Sequence, residues 1–204
     1  MTSVTIGSPE LNIEDPNLIG RRWRSGVLLL MLADGAFVAS LVFAYFYLRE
    51  LNTEKAWVAH GQHTAAIWVS WLITGVVVLS AIIYRRAERA IQAGNEARFV
   101  AAAALALLLL LADVVIQVSQ LVTFPFGIGT SAYSSTVYAM AGANLFHLLL
   151  TVFLAVAMVN RGRVHIYSAT SNWQVRLVGL WWAWVAATAI VTAFTMSFVA
   201  SPNH

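Results

Sequence analysis

Residues 99–124 read FVAAAALALLLLLADVVIQVSQLVTF, an apolar run with a single ionisable side chain, Asp113. About 20 apolar residues in an α-helix cross the hydrocarbon core of a bilayer, because each residue advances the helix by about 1.5 Å. The run exceeds that length without a break. It therefore predicts a membrane-spanning helix.

Four further stretches pass the same length test. All four prolines lie outside the five runs, so the sequence gives no sign of a broken helix. We predict an all-α polytopic membrane protein with five helices, over residues 26–48, 65–84, 99–124, 133–159 and 177–200. Residues 1–25 then form an N-terminal segment, and residues 26–204 form one membrane domain.

Composition agrees with membrane residence and excludes other classes. Hydrophobic residues make up 60% of the chain and charged residues 10%, with a mean hydropathy of +0.75, whereas soluble domains average about 25% charged residues. The net charge of +3 does not indicate a nucleic-acid binder, because the basic residues separate hydrophobic runs and form no single solvated face. Cysteine is absent, which excludes disulfides, thiolate-bound metals and a cysteine nucleophile.

The distribution of Lys and Arg predicts the orientation of the bundle, since short loops rich in these residues tend to stay in the cytoplasm. Ten arginines lie before the first run or in the second and fourth loops: Arg21, Arg22, Arg24, Arg85, Arg86, Arg89, Arg98, Arg161, Arg163 and Arg176. The other side has Arg49 and Lys55. We expect residues 1–25 in the cytoplasm, the C-terminus outside, and a bacterial plasma membrane as the location.

Aromatic residues near the ends of the runs support these boundaries. Trp68 and Trp71 open the second run, and Trp181, Trp182 and Trp184 lie near the start of the fifth. Because Trp and Tyr favour the boundary between membrane and water, we interpret both groups as interface anchors.

Two carboxyl groups lie inside predicted helices. Asp34 is about 12 Å from the start of the first helix and Asp113 about 21 Å along the third, at about 1.5 Å per residue. A charged side chain at the bilayer centre costs about 2.5–3.5 kcal/mol even on insertion scales. Both acids are therefore expected to face the bundle interior, and both are candidate functional residues.

Polar side chains recur at helical spacing on the third and fourth helices: Asp113, Gln117, Gln120, Asn144, His147 and Thr151. We predict that the two polar faces meet, and that Gly142 allows the two backbones to approach closely. Interhelical hydrogen bonds of this kind contribute about 0.6–2 kcal/mol each, so a purely structural role is the alternative to a functional one.

The sequence indicates no catalytic, metal or cofactor site. His60 and His63 form an H-x-x-H pair in the first loop, but two histidines without further ligands rarely hold a metal. His147 is the only histidine inside a predicted span, which excludes a haem with two histidine ligands within this chain. No Ser-His-Asp grouping at recognisable spacing is present.

The first helix carries the strongest motif, LADGAFVASLVFAYFYLR at residues 32–49. It resembles subunit III of the haem-copper oxidases, in its short five-helix form, where an acid is followed by Phe, by A-Y-F and by a basic residue. Asp34, Tyr45 and Arg49 stand at positions of that pattern. The family more often has Glu as the acid, and quinol-oxidase members are similar to this chain in having Asp.

Two further motifs follow in the order of that family. Residues 131–135 resemble its S-x-Y-x-S, and Gly142–His147 resembles its G-x-H-x-x-H, with Asn144 at the first histidine. Gln117-Val-Ser-Gln120 is similar to its Q-x-x-E, with an amide in place of the carboxylate.

The resemblance implies a subunit without a redox centre, packed on subunit I of a respiratory terminal oxidase whose haem and copper, in other subunits, reduce O₂ to water. It also implies bound phospholipid and a role for Asp34 as an intramembrane acid near the side of proton uptake. Further interior or contact residues would be Asp113, Gln117, Gln120, Asn144, His147, Tyr45 and Arg49. Two alternatives stay open: the related subunit of a nitric oxide reductase, and a small proton-coupled transporter that uses Asp34 and Asp113.

Overall fold

The computed structural model describes residues 16–51, 57–59 and 61–199. In these ranges the chain forms five α-helices and no strand: α1 Pro16–Leu51, α2 Ile67–Gln92, α3 Glu96–Val122, α4 Ala132–Arg163 and α5 Trp173–Met196. Each helix is long and apolar enough to cross a membrane. The prediction of an all-α membrane protein with five spanning helices is confirmed.

Capping signals let several helices continue past the predicted spans. At the start of α4, Ser131 and Ser134 form a capping box, in which each hydroxyl accepts from the backbone N–H of the other, at 3.1 and 2.9 Å. Gly94 has a φ of +75°, which ends α2, and Asn95 Oδ1 then caps α3 by accepting from Arg98 N–H. Because the helices continue, the ten arginines of the predicted cytoplasmic side all lie on helical residues.

Helices α2 to α5 form the body of the bundle, and α1 lies beside them. α2 packs on α3 and α5, α3 packs on α4, and α4 packs on α5, whereas α1 contacts α4 and α5. Only 6% of the most apolar stretch of α1 is buried, against 50% in α5. α1 therefore presents most of its surface to the lipid or to a partner.

One end of the bundle, where α1, α3 and α5 begin, carries these ten arginines, and we call it the arginine-rich end. Near it the rings of Tyr84 and Trp182 stack with centroids 4.2 Å apart, and Trp182 Nε1 donates to Ser80 Oγ at 3.2 Å. Because successive helices run antiparallel, the starts of α1, α3 and α5 and the ends of α2 and α4 lie on the same side of the bundle. The charge asymmetry lies along the bundle axis, and the orientation in the membrane stays a prediction.

The close approach of α3 and α4 depends on a glycine other than the predicted one. A Cβ at Gly142 would meet nothing within 4 Å, whereas a Cβ at Gly162 would lie 2.6 Å from Phe99 Cε1 and 3.2 Å from Val100 Cγ2. The prediction for Gly142 is wrong, because no neighbouring atom comes near its face of α4. Gly162 makes the contact at the arginine-rich end.

An aromatic cluster closes the opposite end. The ring of Trp57 meets the rings of Tyr45 and Tyr133 edge-on, with centroids 5.1 and 5.7 Å apart. Tyr133 OH accepts a hydrogen bond from Ala65 N–H at 3.0 Å. The described part of the first loop is thereby fixed onto α1 and α4.

Candidate functional site

Asp34 lies at the middle of α1 and bonds to both neighbouring helices. His147 Nε2 on α4 is 2.8 Å from Asp34 Oδ1, and Trp184 Nε1 on α5 donates to Asp34 Oδ2 at 2.6 Å. The Asp34 side chain is 14% exposed and that of His147 is 3% exposed. Each carboxyl oxygen thus has a partner from another helix, as an acid in hydrocarbon requires. We call these three residues the Asp34 cluster.

Surrounding contacts hold the partners of Asp34 in place. Thr151 Oγ1 donates to the His147 carbonyl at 2.7 Å and accepts from Trp181 Nε1 at 3.2 Å. The ring of Trp181 also meets the imidazole edge-on, with centroids 6.1 Å apart. A Cβ at Gly35 would lie 3.2 Å from Trp184 Cη2, so the glycine next to the acid leaves room for the indole. The cluster is built on helix faces, which favours a fixed geometry.

The tryptophans of α5 are the part of the site that sequence reasoning missed. α5 begins at Trp173, so Trp181 and Trp182 lie about two turns inside it, and they are 5% and 0% exposed. The interpretation of Trp181, Trp182 and Trp184 as interface anchors is wrong, because their indole N–H groups donate to acceptors inside the bundle. A buried indole N–H needs a hydrogen-bond acceptor. The intramembrane acid Asp34 was the signal in the sequence that could have indicated such an acceptor.

The predicted contact between the polar faces of α3 and α4 is present as a chain of amides. Asn144 Nδ2 donates to Gln117 Oε1 at 2.7 Å, and Gln117 Nε2 donates to Gln120 Oε1 at 2.8 Å. Gln120 Nε2 then donates to Ser70 Oγ on α2 at 3.0 Å. His147, on the same stripe of α4 as Asn144, bonds instead to α1. The stripe therefore joins α4 to two different neighbours.

Asp113 differs from Asp34 in its surroundings. Its side chain is fully buried, and neither carboxyl oxygen has a hydrogen-bond partner among the residues that the structure describes. It lies one turn from Gln117 on the same face of α3 but is not part of the amide chain. The two intramembrane acids therefore occupy separate environments, and Asp34 is the one that links α1 to α4 and α5.

Tyr45 and Arg49, the other residues of the first-helix motif, lie toward the opposite end of α1. Tyr45 is about 16 Å along the helix from Asp34, at about 1.5 Å per residue. Its hydroxyl donates to the Phe198 carbonyl at 3.2 Å, and Arg49 Nη1 lies 3.8 Å from Glu50 Oε1. The structure does not bring these two residues to the Asp34 cluster.

No metal site is found in the part of the chain that the structure describes. Within it, no three His, Asp or Glu side chains are placed to hold a metal ion together. His60, the first residue of the H-x-x-H pair, lies outside the described residues.

Comparison with known families matches residues 14–196 to one family, described as Cytochrome c oxidase subunit III. The chain belongs to the cytochrome c oxidase subunit III family. The predicted resemblance is thereby confirmed. Within this chain, the Asp34 cluster joins the first-helix motif to the final histidine of Gly142–His147.

Similar members of the subunit III family, each named Cytochrome c oxidase subunit 3, come from Prototheca wickerhamii, Triticum aestivum and Drosophila yakuba. They are 26%, 27% and 23% identical to this chain over 173, 166 and 172 residues, which are 82%, 79% and 82% of it. The chain in turn covers 65%, 62% and 64% of their lengths. The similarity is thus distant in sequence but extends over most of the chain.

Proposed function

We propose that this chain is the non-catalytic subunit III of a respiratory haem-copper terminal oxidase, which reduces O₂ to water in aerobic electron transport. The family match over residues 14–196 is the observation that carries the proposal. The subunit III family carries no haem or copper itself, so the redox centres belong to partner subunits. Catalysis of O₂ reduction is then a property of the whole complex.

The exposed surface of α1 supports an accessory role in an assembly. Only 6% of its most apolar stretch is buried, so lipid or another subunit must cover the rest. We assign subunit I as the main contact of the chain, with other oxidase subunits and phospholipid completing its surroundings. The chain would stabilise subunit I by packing beside it in the membrane.

The Asp34 cluster supports a role for this subunit on the side of proton uptake. An acid that is 14% exposed and bonded to an imidazole combines two groups able to exchange protons inside the membrane. We infer that Asp34 helps to keep proton uptake by subunit I working through repeated turnovers.

Isolation of the native complex tests the assignment. The tagged chain, extracted from its own membrane in mild detergent, should carry a partner with haem spectra and bound copper. The preparation should consume O₂ with either reduced cytochrome c or quinol as the electron donor. Recovery of the folded chain without any haem-bearing subunit would contradict the proposal.

Substitution of the acid tests the proton-uptake role separately. In the assembled oxidase, Asp34→Asn keeps the size of the side chain but removes the ionisable group. We expect faster loss of O₂ consumption during continuous turnover and slower proton uptake. Asp113→Asn is the matched control, since it changes an intramembrane acid on α3 that has no hydrogen-bond partner among the described residues. Equal behaviour of the two variants would remove the proposed role of Asp34.

We further propose the bacterial plasma membrane as the location, with the arginine-rich end toward the cytoplasm. The three relatives named above are from eukaryotes, so cell fractionation is the direct test of the compartment. Reporter fusions at each terminus would test the orientation, with a cytoplasmic signal expected only at the N-terminus. A reporter signal from outside the cell at the N-terminus would contradict the proposed orientation.

Two alternative functions have their own discriminating measurements. A nitric oxide reductase as the host complex would give a haem-bearing preparation that reduces nitric oxide and not O₂. A proton-coupled transporter would give proton flux through the isolated chain in liposomes, lost in Asp34→Asn. Transporters commonly contain interrupted helices at their binding sites, whereas α1 to α5 are continuous helices.

A further inference from the structure

A pocket of about 280 Å³ opens at the arginine-rich end between α1, α2 and α5. Four arginines line it, two from α1 and one each from α2 and α5: Arg21, Arg24, Arg85 and Arg176. Glu88 on α2 also lines it and is the one acidic residue among its described lining residues. The pocket is separate from the Asp34 cluster and from the amide chain, which share none of its lining residues.

Only one of the four positive charges is neutralised within the described residues. Arg85 Nη1 donates to Glu88 Oε2 at 2.7 Å, and the Glu88 side chain is 7% exposed. The closely packed backbone at Gly179, where a Cβ would lie 2.7 Å from Glu88 Oε2, fixes that carboxylate against α5. The side chains of Arg21, Arg24 and Arg176 form no ion pair with any residue that the structure describes. Three positive charges therefore face one pocket.

The remaining wall of the pocket is apolar and preformed. Trp173, Leu177 and Leu180 line it from the first two turns of α5. Trp173 stacks on Trp23 of α1 with ring centroids 6.3 Å apart, and it approaches Gly20 so closely that a Cβ there would lie 2.9 Å from Trp173 Cβ. The guanidinium groups thus lie next to an aromatic and aliphatic surface at the membrane boundary, where Trp is favoured.

We propose that this pocket binds the phosphate headgroup of an anionic phospholipid, with the first part of an acyl chain against Leu177 and Leu180. Arginine binds phosphate oxygens through its planar guanidinium group, and basic pockets between transmembrane helices recognise anionic headgroups. The apolar wall favours a lipid over a free phosphate ion. The inference deepens the lipid-binding part of the proposed function by naming the site and the lipid charge.

Paired substitutions that remove equal charge test the site. Arg24→Gln with Arg176→Gln removes two of the unneutralised pocket charges and leaves the ion pair between Arg85 and buried Glu88 intact. Arg86→Gln with Arg163→Gln is the control, because both arginines are exposed at the same end but do not line the pocket. Circular dichroism and the unfolding midpoint in detergent would verify that both double variants fold.

Binding of phosphatidylglycerol to the purified full-length chain in detergent micelles would be measured by native mass spectrometry. Each arginine near a headgroup is worth about fivefold in affinity, so the pocket variant should bind about 25-fold more weakly. The control variant should bind as the wild type does. Phosphatidylcholine and inorganic phosphate, tested as competitors, should not displace the bound lipid.

Three outcomes would overturn the site. Equal losses in both double variants would indicate non-specific attraction to the arginine-rich end, equal binding of phosphatidylcholine would remove the charge preference, and displacement by inorganic phosphate would identify a free-anion site. Co-purification of each variant with the haem-bearing subunit is measured in parallel. That readout reports on the proposed function and does not depend on whether the lipid is retained.

Discussion

Replacement of Asp34 by alanine removes the polar link between the middle of α1 and the rest of the bundle. Two hydrogen bonds are lost, to His147 Nε2 at 2.8 Å and to Trp184 Nε1 at 2.6 Å. Interhelical bonds in membrane proteins contribute about 0.6 kcal/mol on average and about 1.7 kcal/mol at most. We therefore expect Asp34→Ala to lower the free energy of unfolding by about 1.2–3.4 kcal/mol, or roughly 8- to 300-fold in the equilibrium constant.

A double-mutant cycle isolates the Trp184 bond within that total. Trp184→Phe retains an aromatic ring and removes the N–H donor, so the cycle with Asp34→Ala should give a coupling energy of about 0.6–1.7 kcal/mol. Unfolding would be followed by circular dichroism during titration with sodium dodecyl sulfate in mixed micelles. The packing lost on shortening the indole appears in the single variant and cancels in the cycle.

Trp182→Phe provides the matched control for this cycle. It also removes a buried indole donor from α5, but that donor bonds to Ser80 Oγ on α2 at 3.2 Å. Its coupling to Asp34→Ala should stay below about 0.5 kcal/mol, as for independent sites. If Asp34 coupled to Trp184 no more strongly than to Trp182, the assignment of the 2.6 Å bond as an energetic link would be refuted.

Three further predictions concern glycine packing and the two acids. Gly162→Ala should lower the free energy of unfolding by about 1–3 kcal/mol, because its Cβ would lie 2.6 Å from Phe99 Cε1. Gly142→Ala is the control and should not lower it. Equal unfolding midpoints for the two variants would show that α3 and α4 can move apart at no cost in free energy. Asp113→Val should leave the unfolding free energy unchanged or raise it by as much as about 1–3 kcal/mol, since it removes a buried carboxyl that has no hydrogen-bond partner among the described residues. A large loss of unfolding free energy would reveal a partner or a function. A hydrophobic carbodiimide should label Asp34, which is 14% exposed, before fully buried Asp113; peptide mass spectrometry showing label confined to Asp113 would contradict this.

The spanning segments could be predicted because the bilayer imposes a length and a polarity on each of them. The helix ends could not, since hydropathy reports where the lipid begins and not where backbone hydrogen bonding stops. The fifth span was predicted from residue 177, but α5 starts at Trp173, where the segment is polar and includes Arg176. The capping box at Ser131 and Ser134 likewise decides the start of α4 locally.

The candidate site was predictable in its members more than in its pairings. Spacing placed Asp113, Gln117 and Gln120 on one face, and the contact of Gln117 with Asn144 follows that pattern. The partners of Asp34 did not follow, because periodicity defines a face on one helix and does not say which helix meets it. Trp184 in particular was interpreted as a boundary residue, since its position near the start of a span suited the membrane surface equally well.

By itself the sequence determined the class of this protein, the number of its spans, the asymmetry of its charges and its resemblance to the subunit III family. Only the tertiary structure decided that Asp34 meets His147 and Trp184, which lie 113 and 150 positions further along the chain. It alone also decided that arginines of three helices share one pocket. The physical reason is that lipid tails are as apolar as the helix faces, so hydrophobicity alone selects no partner. Side-chain fit and a few polar bonds select it, and these exist only once the helices are packed.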